Sequence, residues 1–154
     1  MKKSVLKIFC LLTFIFISQF SFSNNFNNNK GDGRKMKKLF LCSYFAGVKD
    51  TFKDFMNNDT KGKKVLFIPT ANVDEETKFL VDEAKEVFKN LGMEVEDLEI
   101  SKLDEKTIKN KIEKANYLYV GGGNTFYLLQ ELKRKNLIDF IKNRVNSGMV
   151  YIGE

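Results

Sequence analysis

The sequence predicts an α/β domain built on a doubly wound parallel sheet, and three observations carry that reading. From residue 38 onward, short apolar runs of strand length alternate with segments of helical period. The runs Val65-Leu66-Phe67-Ile68 and Tyr117-Leu118-Tyr119-Val120 are apolar at every position, as strands covered on both faces must be. The chain has 154 residues, 43% of them hydrophobic and 30% charged, which suits one ordinary domain and neither a disordered nor an integral membrane protein.

Taken in order, Lys38-Leu39-Phe40-Leu41-Cys42 is the first expected strand. Val48, Phe52, Phe55 and Met56 then recur at spacings near four, one face of a helix. Val65 to Ile68 is the second strand, stopped by Pro69, the chain's one proline. Asp74-Glu75-Glu76 is expected to open the longest helix, with acids at the positive end of its dipole. Phe79, Leu80, Ala84, Val87, Phe88 and Leu91 keep its period, and Gly92 suits a C-terminal cap. Glu94 to Ile100 alternates, with Val95 and either Leu98 or Ile100 inward, and is expected as a third, outer strand. Ser101 to Ala115 carries Leu103, Ile108 and Ile112 on one helical face, and Tyr117 to Val120 is a fourth, central strand. Thr125 to Lys135 and Asn136 to Asn146 are helical stretches, Ser147-Gly148 a turn, and Met149 to Ile152 a fifth strand. Five strands separated by helices imply right-handed βαβ crossovers and a flavodoxin-like sheet, still unfinished after the fifth strand.

The net charge of +6 does not belong to this body. Residues 1–35 hold Lys2, Lys3, Lys7, Lys30, Arg34 and Lys35 against Asp32 alone. Removing them from the chain's 26 basic and 20 acidic residues leaves 20 and 19 in 36–154. That balance gives no electrostatic footprint for nucleic acid. Residues 1–23 run from lysines through the apolar Ile8–Ile17 to Ser21-Phe22-Ser23, the n-, h- and c-regions of a secretory signal. The apolar run is too short for a stable membrane anchor. The asparagine-rich 24–35 reads as an unstructured spacer. A second reading competes: Met36-Lys37-Lys38-Leu39 resembles a natural start, with the leader as translated upstream DNA. The first implies export and the second a cytoplasmic protein.

There is no histidine anywhere. A Ser-His-Asp or Cys-His site, or a histidine metal site, cannot be completed within these residues. Cys10 and Cys42 are too few for a disulfide framework or a thiolate zinc site. Cys42 reads as a small buried hydrophobe, because nothing is present to activate it.

In an open parallel sheet the site forms beyond the C-terminal ends of the strands. Two segments qualify. Gly121-Gly122-Gly123-Asn124-Thr125-Phe126 follows the fourth strand and opens a helix. Its glycines admit close backbone approach, and the following amides present partial positive charge to a phosphate, a carboxylate or an oxyanion. It lacks the Gly-Lys-Ser/Thr ending of a P-loop and is not G-x-G-x-x-G. The plain alternative is a tight turn with Asn124 or Thr125 as N-cap. The second segment, Tyr151-Ile152-Gly153-Glu154, is a strand running into Gly-x, the lead-in of a nucleophile elbow.

Together these motifs resemble the N-terminal half of the peptidase E (α-aspartyl dipeptidase) family, relatives of the cyanophycinases with a class I glutamine-amidotransferase-like fold. The matching pieces are Lys37-Lys38-Leu39-Phe40-Leu41, Phe67-Ile68-Pro69-Thr70-Ala71, Val120 to Phe126 with Leu128-Leu129, and Gly148 to Gly153. The resemblance covers 36–154. In that family the last strand enters Gly-x-Ser-Ala-Gly, whose serine is the nucleophile, so Gly153 and Glu154 fill the two positions before it. By the same resemblance Gly123 supplies an oxyanion-hole N–H, while Gly121, Gly122, Asn124 and Thr125 support the loop. The serine, histidine and acidic members of the triad fall outside the sequence, which is therefore expected to be an inactive fragment by itself. The implied substrates are short Asp-X peptides, with no metal and no organic cofactor. The competing reading is a complete module binding phosphate or carboxylate on the glycine loop. It is disfavoured because a sheet ending on a bare, apolar fifth strand would leave hydrophobic surface uncovered.

Overall fold

The computed structural model describes residues 36–73 and 75–154. The signal-like segment 1–23, the spacer 24–35 and Asp74 lie outside the described residues. Five strands form one sheet: β1 (Leu39–Leu41), β2 (Lys64–Ile68), β3 (Glu94–Asp97), β4 (Tyr117–Val120) and β5 (Val150–Gly153). Between them lie α1 (Lys49–Phe55), α2 (Lys78–Asn90), α3 (Glu105–Lys114), α4 (Thr125–Arg134) and α5 (Ile138–Asn146). Short 3₁₀ turns at Ala46–Val48 and Glu75–Thr77 precede α1 and α2.

All pairings are parallel, and the strand order is β1-β5-β4-β2-β3. From β1 the chain passes to β2 and then outward to β3. It returns past β2 to β4 and continues in the opposite sense to β5. The helix layers reverse with it. Phe52 of α1 and Ala84, Val87 and Phe88 of α2 pack on one face, against Val65, Phe67, Tyr117, Tyr119 and Ile152. Ile108 and Ile112 of α3, Leu132 of α4 and Val145 of α5 pack on the other, against Leu66, Ile68, Leu118 and Val120. Reversing both direction and face keeps every crossover of one hand. The switch falls between β2 and β4 and opens a crevice at their C-terminal ends.

Two expectations are corrected. The fifth strand is not bare: β5 lies between β4 and β1, so the edge is β1, where Leu39 and Leu41 are exposed. A parallel strand can be added beside the first as readily as beside the last, and hydrophobic pattern does not separate the two. Glu75 and Glu76 do not open α2, which starts at Lys78 with no acid in its first turn. Glu75 and Glu76 sit in the preceding 3₁₀ turn, whose Thr77 carbonyl accepts a hydrogen bond from Asn72 Nδ2 at 3.1 Å. Phe79 keeps the helical period yet is exposed, in the turn where Leu80 and Val81 face the site cavity.

Other expectations hold. Gly92 follows α2 with φ +75° as its C-terminal glycine, and β3 is an outer strand. The four residues of β4 are all buried, and both Leu98 and Ile100 turn inward just beyond β3. Ser147 Oγ bonds the Asn143 carbonyl at 2.9 Å, a turn role.

Candidate functional site

Strand register brings the two glycine segments together. Ile68 pairs with Val120, and Val120 with Gly153, so the loops leaving β2, β4 and β5 emerge side by side. Backbone bonds continue the ladder past the strands: Gly121 N–H donates to Ile68 O at 3.0 Å and Glu154 N–H to Val120 O at 3.0 Å.

The glycine loop is seated on the loop after β2. Asn124 N–H donates to Ala71 O at 2.7 Å. Gly123 has φ +135°, and a Cβ there would stand 2.2 Å from Ala71 O. No other residue fits that position without moving backbone. A Cβ on Gly122 would lie 3.5 Å from the Glu154 carbonyl oxygen, so the loop abuts the end of β5. Neither Gly122 N–H nor Gly123 N–H donates to another backbone group of the described residues. Asn124 is the N-cap of α4, its Oδ1 accepting from Tyr127 N–H at 3.0 Å. Thr125, the other candidate cap, is the first residue of the helix and is exposed.

A cavity of about 300 Å³ opens between these loops, lined by Asn72, Tyr119, Gly121, Gly122, Gly123 and Glu154 among others. The Glu154 carboxylate is fixed at both oxygens. Oε1 accepts from Phe45 N–H at 3.4 Å and Oε2 from the Tyr119 hydroxyl. Burial, reinforced by that bond to Glu154, pushes the Tyr119 phenol far above its ordinary range, which keeps it a donor. Asn72 turns its amide nitrogen to Thr77, 3.1 Å from the carbonyl and 3.2 Å from Oγ1. Its Oδ1 is buried and has no hydrogen-bond partner among the described residues.

Sequence reasoning brought Gly121–Gly123, Gly153 and Glu154 to this place but missed Asn72, Tyr119 and Phe45. Asn72 had a usable signal, since it stands four residues past β2 at the strand end where sites form. Tyr119 and Phe45 had none, because a buried aromatic reads as core.

Cys42 borders the site without joining its chemistry. Its Sγ lies 3.7 Å from Gly153 O, and burial, with Glu154 adding to it, pushes the thiol up to about 11. Because alkylation follows the thiolate fraction, an ordinary thiol near 8.5 should outpace Cys42 on the order of 10²-fold at pH 8. Iodoacetamide labelling followed by peptide mass spectrometry should show Cys42 modified slowly in the folded chain and rapidly in urea. Equal rates in the two states would refute the burial.

The sequence model of Peptidase family S51 matches residues 39–154. The chain belongs to peptidase family S51. An uncharacterized peptidase of Pasteurella multocida is 45% identical over 119 residues, covering 77% of this chain and 57% of that protein. An uncharacterized peptidase of Listeria monocytogenes is 44% identical over 119 residues, 77% of this chain and 58% of its own. Peptidase E of Haemophilus influenzae is 36% identical over 95 residues, 62% of this chain and 42% of its length. The S51 chain thus spans 57% and 58% of the length of the Pasteurella and Listeria relatives and 42% of the Haemophilus one. A crystal structure of a candidate peptidase E protein from Listeria monocytogenes EGD-e superposes with a TM-score of 0.74 at 44% identity, over 77% of this chain and 58% of that one. The parallel α/β architecture is therefore that of an S51 peptidase, and the family is one of hydrolases.

Proposed function

We propose that residues 36–154 are the oxyanion-loop and elbow-entry half of a serine-type exopeptidase acting on short peptides with an N-terminal aspartate. The observation supporting this is the abutment of Gly122 on the Glu154 carbonyl, with the Gly122 and Gly123 N–H groups left undonated within the backbone. A serine directly after Glu154 would leave β5 beside those N–H groups. Its oxygen would attack the scissile carbonyl, and the Gly123 N–H would stabilise the negative oxygen of the tetrahedral intermediate. The base that takes the serine proton must come from outside these 154 residues, which contain no histidine. On this reading the 154 residues alone do not hydrolyse peptides.

The test begins with the nucleotides after codon 154 and continues with the polypeptide they extend. An in-frame or frame-shifted Ser-Ala-Gly, hydrolysis of Asp-X dipeptides that survives chelators, and a fall of about 10⁴-fold or more on changing that serine to alanine are expected. Absence of that tripeptide, or full activity without the serine, would overturn the proposal.

A further inference from the structure

Glu154 is the sole charged residue among the described ones that line the site cavity, so no lysine or arginine of that wall pairs with it. A half-buried carboxylate in such a place needs hydrogen bonds to replace the water it gives up. Two donors supply them, Phe45 N–H to Oε1 at 3.4 Å and the Tyr119 hydroxyl to Oε2. Neither donor is free to move. Phe45 and Tyr119 are both buried. The Tyr119 ring stacks on Phe67 with centroids 4.4 Å apart and lies against Phe45 at 5.4 Å, so its hydroxyl meets the carboxylate in one place.

These bonds act where the backbone ladder stops. β5 leaves the sheet at Gly153, whose carbonyl accepts from Cys42 N–H at 2.9 Å, and Glu154 N–H makes the last ladder bond, to Val120 O. Beyond it the course of the chain depends on the Glu154 backbone torsions, and the anchored side chain holds that residue from its other end. Tyr119 lies on β4 two residues before Gly121, where the glycine loop begins. The side chain that grips Glu154 therefore belongs to the strand that carries the loop. A Cβ on Gly122 would already lie 3.5 Å from the Glu154 carbonyl oxygen, so a small turn of Glu154 changes how the two segments meet.

We propose that Tyr119 and Glu154 are positioning residues: their hydrogen bond, with the one from Phe45 N–H, fixes the direction in which the chain leaves β5 relative to the glycine loop. This rests on the peptidase reading above and deepens it, since it makes the residue before the nucleophile the one that aligns the serine with the Gly123 N–H. Neither side chain touches the substrate in this role. Misplacing a reacting group by about 1 Å costs on the order of 10²-fold in rate, which sets the scale of the expected effect.

The first test uses the 154-residue chain labelled with ¹⁵N and needs no hydrolysis. The ¹H–¹⁵N NOE of Glu154 should match that of the β5 amides, although Glu154 is the last residue. Tyr119→Phe should lower it and broaden the Gly122 and Gly123 amides. Glu154→Gln still accepts from Phe45 N–H and can donate to the Tyr119 oxygen, so it should keep the NOE high. A Glu154 as mobile as a free terminus in the unmodified chain would overturn the proposal, as would a Tyr119→Phe chain with the NOE and glycine amides unmoved.

The second test is kinetic, on the extended polypeptide, with every variant shown to be folded by circular dichroism. Glu154→Ala and Tyr119→Phe should each lower kcat on Asp-X dipeptides by about 10- to 100-fold, with KM within about threefold. Glu154→Gln should recover kcat to within about fivefold of the unmodified enzyme. Because both changes break the same bond, the double variant should be within about twofold of Glu154→Ala alone. Losses that multiply in the double variant, a loss confined to KM, or E154Q as slow as E154A would each overturn the positioning role. If the extended polypeptide does not hydrolyse while the Tyr119→Phe spectra change as described, the peptidase reading falls and the tether stands. If it hydrolyses and E154A is equally fast, the tether falls and the peptidase stands.

Discussion

Gly123→Ala is expected to lower the unfolding free energy by about 3 kcal/mol or more, measured by urea denaturation of the 154-residue chain. Two effects add. The backbone at φ +135° is one that a side chain rarely adopts, at about 1–3 kcal/mol. The new methyl would also stand 2.2 Å from Ala71 O and 2.6 Å from Ala71 C, an overlap that costs about another 1–3 kcal/mol to relieve. Ala71 O cannot yield freely, because it accepts from Asn124 N–H at 2.7 Å and Val73 N–H at 3.1 Å. The matched control is Gly62→Ala. Gly62 has φ +72° but nothing within 4 Å of its Cβ position, so only backbone strain of about 1–2 kcal/mol should be felt. If the two substitutions cost the same, the glycine loop is not seated on the β2 loop as described. The consequence for chemistry is direct: relief of the overlap must move the Gly123 N–H, the donor that the proposed oxyanion site takes from this loop.

That loop also shows where the sequence was legible. Three glycines between an all-apolar strand and a helical period, followed by Asn124 and Thr125 as alternative caps, specify a tight strand-to-helix turn, and of the two Asn124 caps α4. The strands were legible for a similar reason. Val65 and Phe67 face one layer and Leu66 and Ile68 the other, and only a doubly covered strand needs both. Strand order was not legible, because apolar runs do not name their neighbours. β1 and β5 pair across more than a hundred residues, with Leu39 opposite Tyr151. The Glu154 carboxylate has the same difficulty. Its partners are 109 residues away at Phe45 and 35 away at Tyr119, and neither carries a local pattern that announces it.

Phe88→Ala should be the most damaging of the core truncations, at about 3–5 kcal/mol by urea denaturation. That is a large share of the roughly 5–15 kcal/mol that holds a domain of this kind together. The ring is fully buried and packs against four aromatic neighbours. It stacks on Phe45 at 4.5 Å, meets Tyr119 edge-on at 5.4 Å and Phe52 at 5.9 Å, and reaches Phe67 at 6.4 Å; Phe40 joins through Phe52 at 5.2 Å. Phe79 lies on the same helix and satisfies the same period, yet it is 57% exposed. Phe79→Ala should therefore stay within about 0.5 kcal/mol. Periodicity groups the two residues; burial separates them, and comparable losses at both positions would contradict the placement of α2. The effect should not stop at stability. Phe45 and Tyr119, the two rings that contact Phe88 most closely, belong to the residues that hold the two oxygens of Glu154. A cavity in place of Phe88 removes the support behind both. Phe88→Ala should consequently broaden or shift the Glu154 and Gly122 amide signals in conditions where the chain is still folded, whereas Phe79→Ala should leave the Glu154 signal unmoved. The aromatic core thus does more than fill volume: through Phe45 and Tyr119 it sets the position of the carboxylate that faces the cavity.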